Sequence, residues 1–186
     1  MLIGLTGRIA SGKGVVAECL KSKGFEYVKI SQFLHDEAKR LGIPSKRGSL
    51  QDLGNKFRKE EGAGILAKRF LDKINLSKNY AVDGIRNHKE VTELKKAKNF
   101  FLISVDALQK IRFERILSRK KEYDPKNWEE FIRADKRDFG IGEPEDGQQV
   151  GKCMALADFH ISNDSSPENF HKKIEEIYKK IMEEKC

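Results

Sequence analysis

Along the chain, short apolar runs alternate with stretches in which apolar residues recur every three or four positions. Residues 1–6 are apolar and end at a glycine, which predicts a buried strand of a parallel sheet. From Gly12 to Lys23 the set Val15, Val16, Cys19 and Leu20 has helical spacing, with Gly24 as its stop. Phe25 to Ile30 predicts a second strand, and Ser31 is placed to cap a helix running to about Leu41. Leu50, Leu53 and Phe57 predict another helix, and Ile65, Leu66, Phe70 and Ile74 a further one after Gly62-Ala63-Gly64. Tyr80 to Val82 reads as a third strand ending at Asp83-Gly84, followed by a short helix with Val91 and Leu94. Phe100 to Val105 is a fourth strand and Leu108 to Arg119 a helix. Asp124-Pro125 opens a helix carrying Trp128, Phe131 and Ile132, and Phe159 to Ile161 is a fifth strand. Ser166-Pro167 starts the last helix, with the stripe Phe170, Ile174, Ile177, Tyr178 and Ile181.

Strands alternating with helices at these lengths predict an α/β fold: a five-stranded parallel sheet with helices on both faces and right-handed connections. At 186 residues, without a repeat or a Pro-rich linker, the chain is expected to form one domain. Ligands of such a sheet sit beyond the C-terminal ends of its strands.

Composition changes this picture little. No apolar run approaches the roughly 20 residues of a membrane span, and the first residues do not read as a signal peptide. Cys19, Cys153 and Cys186 lack metal-ligand spacing and read as reduced thiols, so a cytoplasmic location is expected. A net charge of +8 suits a polyanionic ligand, nucleotide or nucleic acid, although solvated lysines alone would also produce it.

The chemistry begins after the first strand. Gly7-Arg8-Ile9-Ala10-Ser11-Gly12-Lys13 has two glycines separated by four residues and then a lysine, in a strand–loop–helix context. That arrangement is a phosphate-binding P-loop: the glycines let backbone N–H groups turn inward, and the following helix adds its positive end. Lys13 is the expected contact to the β- and γ-phosphates of a nucleoside triphosphate, with Gly14 and Val15 completing the donor site. The general motif places Ser or Thr after the lysine as a Mg²⁺ ligand, whereas this chain has Gly14. The metal is therefore expected to rely on phosphates, water and a carboxylate elsewhere.

Asp83, at the end of the third strand, is the candidate carboxylate, holding Mg²⁺ through water. Arg86, two residues after Gly84, is the candidate for the acceptor's phosphate, because a guanidinium can make two parallel bonds to it. Ser31 and His35 should line the acceptor side, with Asp36 nearby, and Arg58 is a further acceptor candidate. Arg112, Arg115 and Arg119 fall within about 60° on one helix face, where like charges repel unless an anion lies between them. Glu122 is the nearest counter-charge for Arg119; Arg133 and Arg137 form a second pair, with Glu129 placed to neutralise Arg133. Together the two arginine groups suggest a lid over residues 119–150, and residues 31–75 an acceptor-binding insertion.

These residues resemble the P-loop nucleoside monophosphate kinases, close to adenylate-kinase-related and dephospho-CoA-kinase-like proteins. Gly12-Lys13-Gly14 and Asp83-Gly84-Ile85-Arg86 are similar to the adenylate kinase loop and its Asp-Gly-aromatic-Pro-Arg signature. The resemblance implies Asp83 near Mg²⁺, Arg86 on the acceptor phosphate, and Arg115 and Arg119 as lid-entry arginines with a catalytic role. His35 departs, since relatives commonly carry Arg there. Ala157 to Asp164 is similar to the Ala-Asp-x-x-Ile-x-Asn segment of dephospho-CoA kinases, whose following loop lies near the adenine. The Asp-x-Asp of those enzymes is replaced here by Ile30-Ser31-Gln32, which removes a base for a hydroxyl acceptor and favours an acceptor phosphate.

The expected activity is ATP- and Mg²⁺-dependent phosphoryl transfer to a nucleoside or deoxynucleoside monophosphate, a small-molecule acceptor, with no membrane partner. Dephospho-CoA kinase, a non-catalytic nucleotide sensor and an RNA-associated ATPase stand as alternatives, the last resting only on charge.

Overall fold

The computed structural model describes residues 1–44, 46–119 and 124–184. Five strands form one all-parallel sheet: β1 (Leu2–Gly7), β2 (Glu26–Lys29), β3 (Tyr80–Asp83), β4 (Phe100–Asp106) and β5 (Phe159–Ser162), in the order β2-β3-β1-β4-β5. All six residues of β1 are buried, as a central strand covered on both faces requires. Its register pairs Leu5 with Asp83 on one side and with Ile103 on the other, so the ends of β1 and β3 lie side by side.

Side-chain alternation divides the core. Leu2, Val82 and Leu102 face one layer, packed by α2 (Gln32–Arg40), α3 (Arg47–Glu61), α4 (Ile65–Leu71), α5 (His88–Leu94) and α8 (Val150–Ala155). Ile3, Leu5, Ala81 and Ile103 face the other, packed by α1 (Lys13–Ser22) and α9 (Pro167–Glu184). A third cluster joins Ile9 of the loop after β1 to Ile116 of α6 (Gln109–Arg119) and Phe131 of α7 (Trp128–Phe139). The expected strands are all present. The six-residue α8 is too short to show a periodicity, and α4 ends at Leu71 rather than reaching Ile74.

Arg58 is buried in this core, at 1 % side-chain exposure, where its Nε donates to Glu90 Oε1 at 2.9 Å. Glu90 Oε2 accepts from the backbone N–H groups of Arg86 and Asn87, so one carboxylate fixes both α3 and the turn after β3. The expectation that Arg58 meets the acceptor is therefore corrected: its charge is spent on a buried pair. Arg58→Ala leaves Glu90 charged and unpaired, and a loss of about 3–5 kcal/mol is expected in urea or thermal unfolding.

Candidate functional site

The loop between β1 and α1 is held tightly. Gly7 has φ 136°, and a Cβ there would stand 2.0 Å from the Val105 carbonyl oxygen; Gly12 has φ 113°, and its Cβ would meet Asn163 Nδ2 at 2.2 Å. Only glycine fits at either position. Helix α1 begins at Lys13 with no side-chain cap and no acidic residue in its first turn, leaving its positive end to a ligand. Lys13 Nζ lies 2.7 Å from Gly7 O and 2.9 Å from Arg8 O, curled over the loop it serves. Ser11 is fully buried and, among the described residues, its hydroxyl has no hydrogen-bond partner, an orphan inside the loop. A side chain at Gly14 would meet nothing within 4 Å, so the missing hydroxyl is a matter of sequence and not of space.

The loop opens into a cavity of about 630 Å³ that reaches from Gly7–Val15 to the ends of β2 and β3. Asp83, Arg86, Ser31, His35, Arg115 and Arg119 all line it. Asp83 Oδ1 accepts from Gly84 N at 2.7 Å, and Oδ2 from the Tyr27 hydroxyl at 2.9 Å. Burial first, and then the Asp83 charge, holds the Tyr27 phenol well above its ordinary pKa, so it stays a donor. This orienting role for Tyr27 gives no signal in the sequence beyond a β-forming residue. Ser31 precedes α2, but its hydroxyl does not cap the helix.

Arg86 Nη1 donates to Asp138 Oδ1 of α7, which is nearly buried. Among the described residues only Nη1 of the guanidinium is used, and the rest of its fork remains for an oxyanion. Asp138 itself lines the cavity.

The arginine face of α6 is split by the structure. The anion between its charges is a protein carboxylate: Arg112 is buried and makes two bonds to Asp135, at 2.6 and 2.9 Å. Arg115 faces the loop, donating to Ser11 O at 3.3 Å and Asn163 O at 2.9 Å, and burial lowers its pKa. Arg119 pairs with Asp124, its Nη2 to Oδ1 at 2.6 Å; Glu122, its expected partner, lies outside the described residues. The second arginine pair does not enter the cavity. Arg133 is exposed, and Arg137 is held by Asp52 at 2.7 Å and Glu143 at 2.9 Å. The expected closing of both arginine groups over the phosphates thus narrows to Arg115 and Arg119.

Asn163, in the segment similar to dephospho-CoA kinases, donates from Nδ2 to Ser11 O at 2.9 Å. It braces the P-loop from the β5 side, which places that segment against the donor site.

A sheet of order β2-β3-β1-β4-β5 with a glycine loop after its central strand defines the P-loop kinase fold. Solved structures agree: shikimate kinase from Acinetobacter baumannii in complex with shikimate superposes with a TM-score of 0.61 at 13% identity, covering 100% of this chain and 94% of that one. Shikimate kinase from Aquifex aeolicus gives 0.56 at 15% identity over 99% and 98%. The chain belongs to the family described as AAA domain, whose model matches residues 3–137. It also belongs with the UPF0200 proteins: that of Pyrococcus abyssi is 34% identical over 98% of this chain and 97% of its own. That of Sulfurisphaera tokodaii is 33% identical over 97% of both. Among the described residues, no helix is long and apolar enough to cross a membrane.

Proposed function

We propose that this chain transfers the γ-phosphoryl group of ATP to the phosphate of a nucleoside or deoxynucleoside monophosphate. The observation that carries the reading is the shared cavity. The P-loop, Asp83 and the open fork of Arg86 meet in one space, on the ends of adjacent strands.

In this reading the loop Gly7–Val15 holds the triphosphate, and Lys13 turns from the loop carbonyls to the β- and γ-oxygens. The donor set fits magnesium in the expected way. Asp83, a carboxylate lining the cavity beside the loop, is the kind of ligand that a largely hydrated Mg²⁺ accepts next to a phosphate chain. Asp83, fixed by Tyr27 and the Gly84 N–H, orients that water shell. Arg86 binds the acceptor phosphate, with Ser31 and His35 beside it. Arg115 and Arg119 put positive charge next to the loop, where charge develops in flight. The lid at 119–150 and the acceptor insertion at 31–75 complete the proposal.

A hydroxyl acceptor is the second reading, and Asp138 favours it. It supplies the carboxylate in the cavity that Ile30-Ser31-Gln32 does not. Incubation with ATP, Mg²⁺ and a panel of ribo- and deoxynucleoside monophosphates, dephospho-CoA and shikimate, read by mass spectrometry, separates the two. At least one monophosphate is expected to gain a phosphoryl group. Transfer to a hydroxyl alone would overturn the leading reading, and tight ATP binding without any transfer would leave a sensor.

A further inference from the structure

The acceptor side of the cavity contains a polar pair that phosphate chemistry does not use. Gln51 of α3 and Gln148, just before α8, are 5 % and 3 % exposed, and both line the cavity. Gln51 Nε2 donates to Gln148 Oε1 at 3.0 Å. Each amide then has one end left over, the carbonyl of Gln51 and the NH₂ of Gln148. Among the described residues neither end has a protein partner, and neither is sealed from the cavity. Because both ends open onto the cavity, a ligand that enters it can bond to both.

The surroundings define the shape of that ligand. Leu34, Leu50, Ile85 and Val150 line the same cavity and give it apolar walls. Gln149 N donates to Arg86 O at 2.6 Å, which ties the amide pair to the residue assigned to the acceptor phosphate. An apolar slot ending in one hydrogen-bond donor and one acceptor fits a planar heterocycle.

We propose that Gln51 and Gln148 read the base of the acceptor, through a nucleobase edge that presents one donor beside one acceptor. The proposal rests on the monophosphate reading above. Turning both amides over together keeps their mutual bond and exchanges the two free groups, so the pair accepts either polarity of edge. Gln51→Glu removes that freedom. A carboxylate can only accept, so Gln148 must donate to it, and two acceptors then face the slot. Such an edge suits guanine, with its adjacent N1–H and N2–H₂ donors.

The test measures kcat/KM for AMP, GMP, CMP and UMP at saturating ATP, with the affinity for ATP followed separately. For Gln51→Leu and Gln148→Leu, kcat/KM for the preferred base is expected to fall about 10- to 100-fold, with the affinity for ATP unchanged. For Gln51→Glu, the ratio of GMP to AMP turnover is expected to rise about 10-fold or more, a change that a merely structural role would not produce. Base preference unchanged in all three variants would overturn the proposal while leaving the monophosphate reading intact. A wild-type protein that phosphorylates none of the four, nor any of the deoxynucleoside monophosphates, would overturn both.

Discussion

Lys13→Ala is expected to lower phosphoryl transfer about 10³-fold or more, with the melting temperature falling by no more than about 5 °C. In the structure the ammonium donates to the carbonyls of Gly7 and Arg8, part-buried bonds of the kind worth about 1 kcal/mol each. Its loss therefore costs little in folding. In the transfer step the same ammonium faces charge spread over the oxygens of the moving group, inside a cavity with apolar walls, where each such contact weighs far more than in water. Lys13→Arg is not expected to rescue the rate. A planar fork cannot replace a compact ammonium in a loop where Gly7 and Gly12 leave no spare space. The check is a single-turnover assay beside a thermal melt. An alanine variant retaining a tenth of the activity would remove Lys13 from the chemistry.

How much of this site the sequence discloses depends on whether a residue acts alone or through a partner. The loop was legible because its function is written in consecutive residues: two glycines, a lysine, and the helix after them. Asp83 and Arg86 are placed in the cavity by the same local logic, a strand end followed by a glycine turn. Arg58 and Arg112 looked equally available, since a helical pattern reports which face a residue shares and not what comes to meet it. Their partners, Glu90 and Asp135, lie 32 and 23 residues away. Three arginines on one face of α6 do require an anion, and Asp135 is part of the answer. Likewise Tyr27, Gln51 and Gln148 become visible only once β2, α3 and the segment before α8 are brought to one cavity. The five strands emerged plainly because apolar runs between glycines and polar turns are themselves the requirement for a covered parallel sheet.

Asp135 is where the α7 side of the cavity is joined to the P-loop, and Asp135→Asn is expected to be the most damaging single-atom change in the protein. The carboxylate is 1 % exposed. It accepts two bonds from Arg112, one from Arg8 of the loop at 3.0 Å and a longer one from Gln109. Arg112 in turn donates to Ile9 O at 3.2 Å, and Arg8 stacks over the Phe139 ring of α7 at 3.9 Å. An asparagine keeps the shape but turns an NH₂ toward a guanidinium and leaves the buried Arg112 with the more distant, half-exposed carboxylate of Asp106, 4.0 Å from its Nε. The expected loss is about 3–5 kcal/mol, which for a chain of this size lowers the melting temperature by about 10 °C or more. Because the pair is buried, the deficit should persist in high salt, unlike that of a surface ion pair. Arg8→Ala offers the contrast. Its guanidinium is a quarter exposed and Arg112 stays paired without it, so about 1 kcal/mol is expected. If Asp135→Asn melted within a degree or two of the wild type, the junction between α7 and the loop would have to be held by the apolar cluster of Ile9, Ile116 and Phe131 alone.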